Sequence, residues 1–222
     1  MNKLLLLFCF FLLAAFNNLK KKKIIFFGDS ITELAVKPGG FIVKMDSALN
    51  KYKLKESYEL IGSGISANKI YDLYLRLDDD VLRKNPDIVV IYIGVNDVWH
   101  KRLLGTGTDA DKFERFYLAT IKKLTDKNIK VILCTPAAIG EKIDFTNEQD
   151  GDLNKYCNII RGIAAKQHLP LIDLRKIFLE YNLKNNPDNN DRGILTRDGV
   201  HLNEKGTQLV ADDMWKALSS GH

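Results

Sequence analysis

The stretch Ile24-Ile25-Phe26-Phe27-Gly28-Asp29-Ser30-Ile31-Thr32 places four apolar residues directly before a glycine, a carboxylate and a hydroxyl. A continuous apolar run of this length is typical of a parallel strand that is covered on both faces. A serine just past such a strand lies at the carboxyl edge of the sheet, where open α/β folds keep their sites. The stretch therefore predicts both a sheet and a site. The alternative role for Ser30 is that of a helix N-cap in a tight strand-to-helix turn.

Apolar runs of the same kind recur along the chain and alternate with helical patterns. The predicted strands are Lys23–Phe27, Tyr58–Ile61, Asp87–Ile93, Lys130–Cys134 and Leu169–Ile172. This alternation predicts a single three-layer α/β domain over residues 21–220, with a five-stranded parallel sheet. The polar stretches Ile139–Gly151 and Asn182–Arg192 are predicted to be loops. The first of them follows the fourth strand, at the edge where a loop can shape a substrate pocket.

The amino-terminal residues differ in composition from the rest of the chain. Leu4–Phe16 is almost continuously apolar, and residues 1–16 are predicted to be a signal peptide of an exported, periplasmic or secreted protein. The alternative is a membrane anchor, which the basic run Lys20–Lys23 favours somewhat. That run supplies four of the positive charges behind the net charge of +5. Because no basic stripe is interleaved with aromatic residues, nucleic acid is not an expected partner.

The cysteines and histidines give no metal pattern. Cys134 and Cys157 are predicted to be small buried residues rather than a disulfide or a reactive thiol. No Cys/His cluster has metal-ligand spacing, and neither a metal nor another cofactor is expected.

Three more segments carry groups that can take part in chemistry. They are Gly62-Ser63-Gly64-Ile65-Ser66-Ala67-Asn68, Gly94-Val95-Asn96-Asp97 and Asp198-Gly199-Val200-His201. The amide of Asn96 can donate a hydrogen bond to an oxyanion. The three-residue spacing of Asp198 and His201 lets one turn bring the carboxylate to imidazole Nδ1–H, which leaves Nε2 as a base. Taken singly, each segment also suits an ordinary turn, cap or surface loop.

In this order and at these strand ends, the four segments resemble the motif blocks of the GDSL, or SGNH, hydrolase superfamily. The resemblance covers the chain from about Lys23 to the final helix and implies a flavodoxin-like arrangement of the sheet. It implies Ser30 as the nucleophile, His201 as the base and Asp198 as the group that orients His201. Ala67 stands where the family usually has an oxyanion glycine.

The resemblance also implies the groups around these three residues. The oxyanion hole would use the Ser30 N–H, the Ala67 N–H and the Asn96 side chain, with the Gly64 N–H as the alternative to that of Ala67. The supporting residues implied by the same blocks are Asp29, Gly94 and Asp97.

The implied activity is that of a serine ester hydrolase acting through an acyl-enzyme. Short acyl esters are the expected substrates, with O-acetyl groups of carbohydrates favoured, and no cofactor is required. The alternatives are a lysophospholipase or lipase, an acyltransferase with the same triad, and a non-catalytic carbohydrate-binding module on the same fold. Beyond a small-molecule or glycan ester no partner is expected, and membrane contact depends on retention of the amino-terminal segment. The oligomeric state stays open.

Overall fold

The structure is a computed structural model that describes residues 20–219, so the predicted segment 1–16 lies outside the described residues. The strands are β1 (Lys22–Gly28), β2 (Tyr58–Gly64), β3 (Ile88–Tyr92), β4 (Lys130–Cys134) and β5 (Leu171–Ile172). They form one parallel sheet in the order β2-β1-β3-β4-β5. This is the flavodoxin-like order, and it confirms the predicted fold class.

Helices connect the strands and cover both faces of the sheet. They are α1 (Ser30–Leu34), α2 (Phe41–Lys51), α3 (Ile70–Asp80), α4 (Val95–Leu104), α5 (Ala110–Thr125), α6 (Asp150–Gln167), α7 (Leu174–Asn185) and α8 (Glu204–Ser219). Neighbouring residues of β1 point to opposite layers, as side chains of a strand do. Phe26 packs edge-on against Phe41 of α2, whereas the Phe27 ring lies 4.4 Å from the guanidinium carbon of Arg76 in α3.

The predicted boundaries at the end of β2 and the end of α7 were wrong because pairing and burial override composition. The strand β2 continues through Gly62-Ser63-Gly64, which the sequence placed in a loop, since these residues pair in register with Phe26, Phe27 and Gly28 of β1. The helix α7 extends to Asn185 into the predicted loop Asn182–Arg192, because Asn182 is buried one turn after Phe178.

The fifth strand is shorter than predicted and starts after Pro170. Cys134 and Cys157 are free and buried, as predicted, and burial raises the pKa of the Cys157 thiol to about 12. Among residues 20–219, no helix combines the length and the apolar character that crossing a membrane would require.

The last residue of β2 lies directly against the first helix. A Cβ atom at Gly64 would overlap the backbone nitrogen of Glu33 and come within 2.6 Å of the Asp29 carbonyl oxygen. Backbone atoms cannot move aside as a flexible side chain can, so the close approach of β2 and α1 requires glycine at this position.

We expect Gly64→Ala to lower the free energy of unfolding by about 1–3 kcal/mol or more, because it overpacks a backbone contact. The matched control is Gly162→Ala in α6, where an added Cβ atom meets nothing within 4 Å. That substitution is expected to be stabilising by up to about 1 kcal/mol, since alanine is the better helix former. Urea unfolding of the two variants measures both effects. Equal stability of the two variants would contradict the steric explanation.

Candidate active site

The first helix brings Ser30 to the carboxyl edge of the sheet. Asp29 caps α1, since its Oδ1 accepts a hydrogen bond from Ile31 N–H at 3.0 Å. The alternative prediction that Ser30 is the N-cap was therefore wrong, and its hydroxyl is available for another partner. That partner is His201, whose Nε2 lies 3.0 Å from Ser30 Oγ.

His201 is held in turn by Asp198. Its Nδ1 lies 2.7 Å from Asp198 Oδ2, while Asp198 Oδ1 accepts the backbone N–H groups of Val200 and His201 at 3.0 and 2.7 Å. Partial burial opposes ionisation of Asp198, but the bonds from His201 and Val200 outweigh it and lower the pKa of this carboxyl below its ordinary value. An ionised carboxylate only accepts hydrogen bonds. Nδ1 therefore donates to Asp198, and the lone pair of Nε2 faces the Ser30 hydroxyl.

A buried carboxylate that the sequence analysis did not single out supports this loop. Glu141 is 1% exposed, and its two oxygens accept the backbone N–H groups of residues 194–196 at distances of 2.6 to 2.9 Å. Its neighbour Gly140 donates to the Gly199 carbonyl at 2.8 Å. The segment Ile139–Gly151, predicted to shape a pocket, thus braces the loop that carries Asp198 and His201.

The turn after β2 presents Ala67 in an unusual conformation. Its φ is 64°, in the left-handed region that disfavours residues with a Cβ atom. Within residues 20–219, neither the Ala67 N–H nor the Ser30 N–H has a hydrogen-bond acceptor. Gly64, the alternative donor, lies in β2 against α1.

Asn96 lies beside this turn at the start of α4. The helix follows Gly94, whose φ of 126° favours a glycine. Asn96 is buried, and its Nδ2 donates to the Asn68 carbonyl at 3.1 Å. A side-chain amide carries two hydrogens, so one of them remains for a second acceptor.

Two of the supporting residues are buried acids. Desolvation raises the pKa of both Asp29 and Asp97 to about 7. Asp97 Oδ1 accepts the Ile70 N–H at 3.3 Å and thereby ties α4 to the start of α3. Their contacts indicate a structural role under the site.

Trp99 is a further neighbour that the sequence analysis did not single out. Its ring lies 6.1 Å from the His201 ring in an edge-on arrangement, and it is half-buried. Its position three residues after Asn96 is the signal that could have identified it, because residues at this spacing share one side of a helix. Trp99 forms a wall beside the imidazole.

The site is separate from a cavity at the other edge of the sheet, and the described residues form no metal cluster. A cavity of about 440 Å³ lies at the opposite edge of the sheet, where its lining includes Lys22, Pro86 and Lys130. No group of three or more His, Cys, Asp or Glu side chains among residues 20–219 could hold a metal ion.

The chain is similar to known proteins in both sequence and structure. Residues 26–209 match the model of the GDSL-like Lipase/Acylhydrolase family, and the chain belongs to that family. The protein is a carboxylic ester hydrolase.

The chain is also similar to individual proteins of known structure or sequence. The chain is 66% identical to the acetyl xylan esterase AlAXEase, whose crystal structure superimposes with a TM-score of 0.88 over 88% of this chain and 99% of that one. It is 28% identical over 206 residues to an acetylxylan esterase of Geobacillus stearothermophilus, a match that spans 85% of this chain and 90% of that protein. An α/β hydrolase from the metagenome of Lake Arreo shares the fold, with 22% identity and a TM-score of 0.78 over 89% of this chain and 95% of that one.

The buried Asp97 carboxyl predicts a pH-dependent stability. Its pKa is about 7 in the folded protein, whereas the ordinary value is 3.8, so the folded state binds the extra proton between these values. Binding of this proton by the folded state stabilises it against unfolding. This stabilisation is fully present below about pH 4 and is lost as pH rises through 7. We expect Asp97→Asn to reduce the fall in unfolding free energy between pH 4.5 and pH 8 by a few kcal/mol, because one pKa unit corresponds to about 1.4 kcal/mol.

Urea unfolding at the two pH values measures this difference. The control is Asp188→Asn, in an exposed part of the loop after α7, which should leave the pH dependence unchanged. An unaltered pH dependence in Asp97→Asn would show that this carboxyl is ionised in the folded protein.

Proposed function

We propose that the protein is a serine esterase that removes acetyl groups from carbohydrates, with Ser30, His201 and Asp198 as its catalytic triad. The observation that carries the proposal is the continuous contact from Ser30 Oγ to His201 Nε2 and from His201 Nδ1 to Asp198 Oδ2. A hydroxyl is a weak nucleophile by itself, and an adjacent oriented base is what activates it.

The reaction proceeds in two halves. Ser30 Oγ attacks the carbonyl carbon of the acetyl ester while His201 Nε2 takes its proton, and Asp198 stabilises the imidazolium that forms. The tetrahedral intermediate collapses, the proton passes from His201 to the departing sugar oxygen, and an acetyl-enzyme remains. Water, deprotonated by His201, then attacks this ester, and acetate leaves as Ser30 regains its proton.

The oxyanion is stabilised by the Ser30 N–H, the Ala67 N–H and the Asn96 amide. The two backbone groups have no acceptor among residues 20–219, and Asn96 retains a second amide hydrogen. Ala67 is exposed and strained at φ 64°. Strain of this kind persists where the surrounding structure enforces it, often at functional sites. This favours Ala67 over Gly64, whose backbone packs against α1.

Two observations support a small acyl group on a sugar. The half-buried ring of Trp99 beside His201 offers an apolar face to a sugar ring, and two relatives are named acetylxylan esterases. We propose export as well, which the apolar run Leu4–Phe16 supports.

A substrate series tests the proposal. We expect the highest kcat/KM for p-nitrophenyl acetate among esters from acetate to dodecanoate, and release of acetate from acetylated xylo-oligosaccharides. Ser30→Ala should lower kcat by about 10⁴–10⁶, because the nucleophile is lost. The control Ser47→Ala, on an exposed position of α2, should keep full activity.

Each alternative gives a different outcome in this series. Activity that rises toward dodecanoate indicates a lipase or lysophospholipase, and acetyl transfer to an added sugar in preference to water indicates an acyltransferase. Oligosaccharide binding without ester cleavage by the unaltered protein indicates a binding module.

Asn96 provides a separate prediction about the oxyanion. Removing one such donor costs about 10²–10³ in kcat, so Asn96→Ala should lower kcat by this factor while KM changes little. Ala67→Gly, which keeps the N–H and relieves the strained φ, should retain activity. Steady-state kinetics on p-nitrophenyl acetate separate the two parameters. A rise in KM with unchanged kcat in Asn96→Ala would assign this amide to substrate binding.

A further inference from the structure

Arg76 of α3 directs its guanidinium toward the site rather than toward solvent. Its side chain is 14% exposed, and the group packs over the ring of Phe27. A planar guanidinium has five N–H donors in a rigid arrangement, and all five of them are used here.

Three of the five hydrogen bonds go to the ends of two strands. Nη2 donates to the carbonyl oxygens of Gly28 and Ser63 at 2.8 and 3.0 Å, and Nη1 donates to Ser63 Oγ at 3.2 Å. Gly28 is the last residue of β1, two positions before Ser30. The same Gly28 carbonyl accepts the Ile65 N–H at 3.2 Å. Arg76 thus joins the backbone that leads into the nucleophile to the backbone that leads into the Ala67 turn.

The fourth hydrogen bond goes to Asn68, which adjoins Ala67 and Asn96 on the oxyanion side of the site. Nε donates to Asn68 Oδ1 at 2.7 Å, and the Asn68 carbonyl accepts the bond from Asn96 Nδ2 at 3.1 Å. Asn68 also follows Ala67 directly. A single step through Asn68 therefore connects Arg76 with two of the three donors assigned to the oxyanion.

The fifth bond holds the guanidinium itself. Nη1 donates to Asp80 Oδ2 at 2.7 Å, one helical turn further along α3. A largely buried charge is an inefficient way to gain stability, because apolar residues of similar volume often do as well or better. What the guanidinium offers beyond packing is a fixed set of directions, and a lysine ammonium does not reproduce them.

We propose that Arg76 is a positioning residue for the esterase reaction: it holds the Ser30 N–H, the Ala67 N–H and the Asn96 amide at the spacing that the oxyanion requires. The inference rests on the proposed function of these three donors. Misplacement of a reacting group by about 1 Å can lower a rate on the order of 10²-fold without removing any group from the site.

The test compares Arg76→Lys with the control Arg83→Lys. Arg83 follows α3 in the chain and forms an exposed ion pair with Asp79. With p-nitrophenyl acetate, we expect Arg76→Lys to lower kcat on the order of 10²-fold while KM stays within about two-fold. Methylboronic acid forms a tetrahedral adduct with a serine nucleophile. Its inhibition constant should rise by the same factor by which kcat falls. Arg83→Lys should match the unaltered enzyme. End-point labelling of Ser30 with a fluorophosphonate gives the concentration of folded sites.

A structural role alone would give another result: fewer labelled sites, with kcat per site and boronate affinity unchanged, and this result overturns the inference. If Arg76→Lys does not fold, Asn68→Ala in the exposed turn keeps the arginine and removes its link to the oxyanion side, and the same fall in kcat and boronate affinity is expected. Full activity per site in Asn68→Ala then overturns the inference. Absence of ester hydrolysis by the unaltered protein, or retention of activity in Ser30→Ala, would instead contradict the proposed function.

Discussion

The position of Ser30, the proposed nucleophile, depends on the absence of Cβ atoms at two glycines. Gly28 and Gly64 end β1 and β2 in register, and a side chain on either would collide with α1 or with the end of β3. Because both are glycines, a helix of only five residues can lie directly on the two strand ends. Asp29 then caps that helix, and Ser30 is left facing the imidazole across the edge of the sheet. The rest of the site is arranged around this contact between backbone atoms.

Charged side chains hold the surrounding loops through backbone groups. Arg76 donates hydrogen bonds to the backbone carbonyl oxygens of Gly28 and Ser63. Glu141 accepts hydrogen bonds from the backbone N–H groups of Leu195 and Thr196. Each of these side chains fixes the backbone of a loop, as the repeated hydrogen bonds of a helix or a sheet fix theirs. A buried polar group is costly when it is unpaired and rigidifying when it is fully paired. The site can therefore be built from irregular loops and still have a defined geometry.

The sheet and the groups at its edge could be predicted from sequence because they depend on local patterns. Apolar runs mark strands that are covered on both faces, and the order of the motif blocks points to Ser30, Asn96, Asp198 and His201. Arg76 and Glu141 could not be found in this way, since their partners are backbone atoms that carry no side-chain signature. The strand residues Gly62-Ser63-Gly64 escaped prediction for a related reason: their conformation is imposed by pairing with β1. Asn182 appeared to begin a loop because its burial in α7 depends on tertiary contacts.

The direction of β1 separates the two ends of the molecule. The described chain enters the sheet at Lys22 on the amino edge, whereas Ser30 follows Gly28 at the carboxyl edge. Seven strand residues at about 3.3 Å each put roughly 20 Å of packed sheet between these edges. A surface, a resin or a fused module joined to the chain ahead of β1 would be attached at the amino edge of the sheet, opposite the edge that bears Ser30. The edge that bears the imidazole would face away from that attachment.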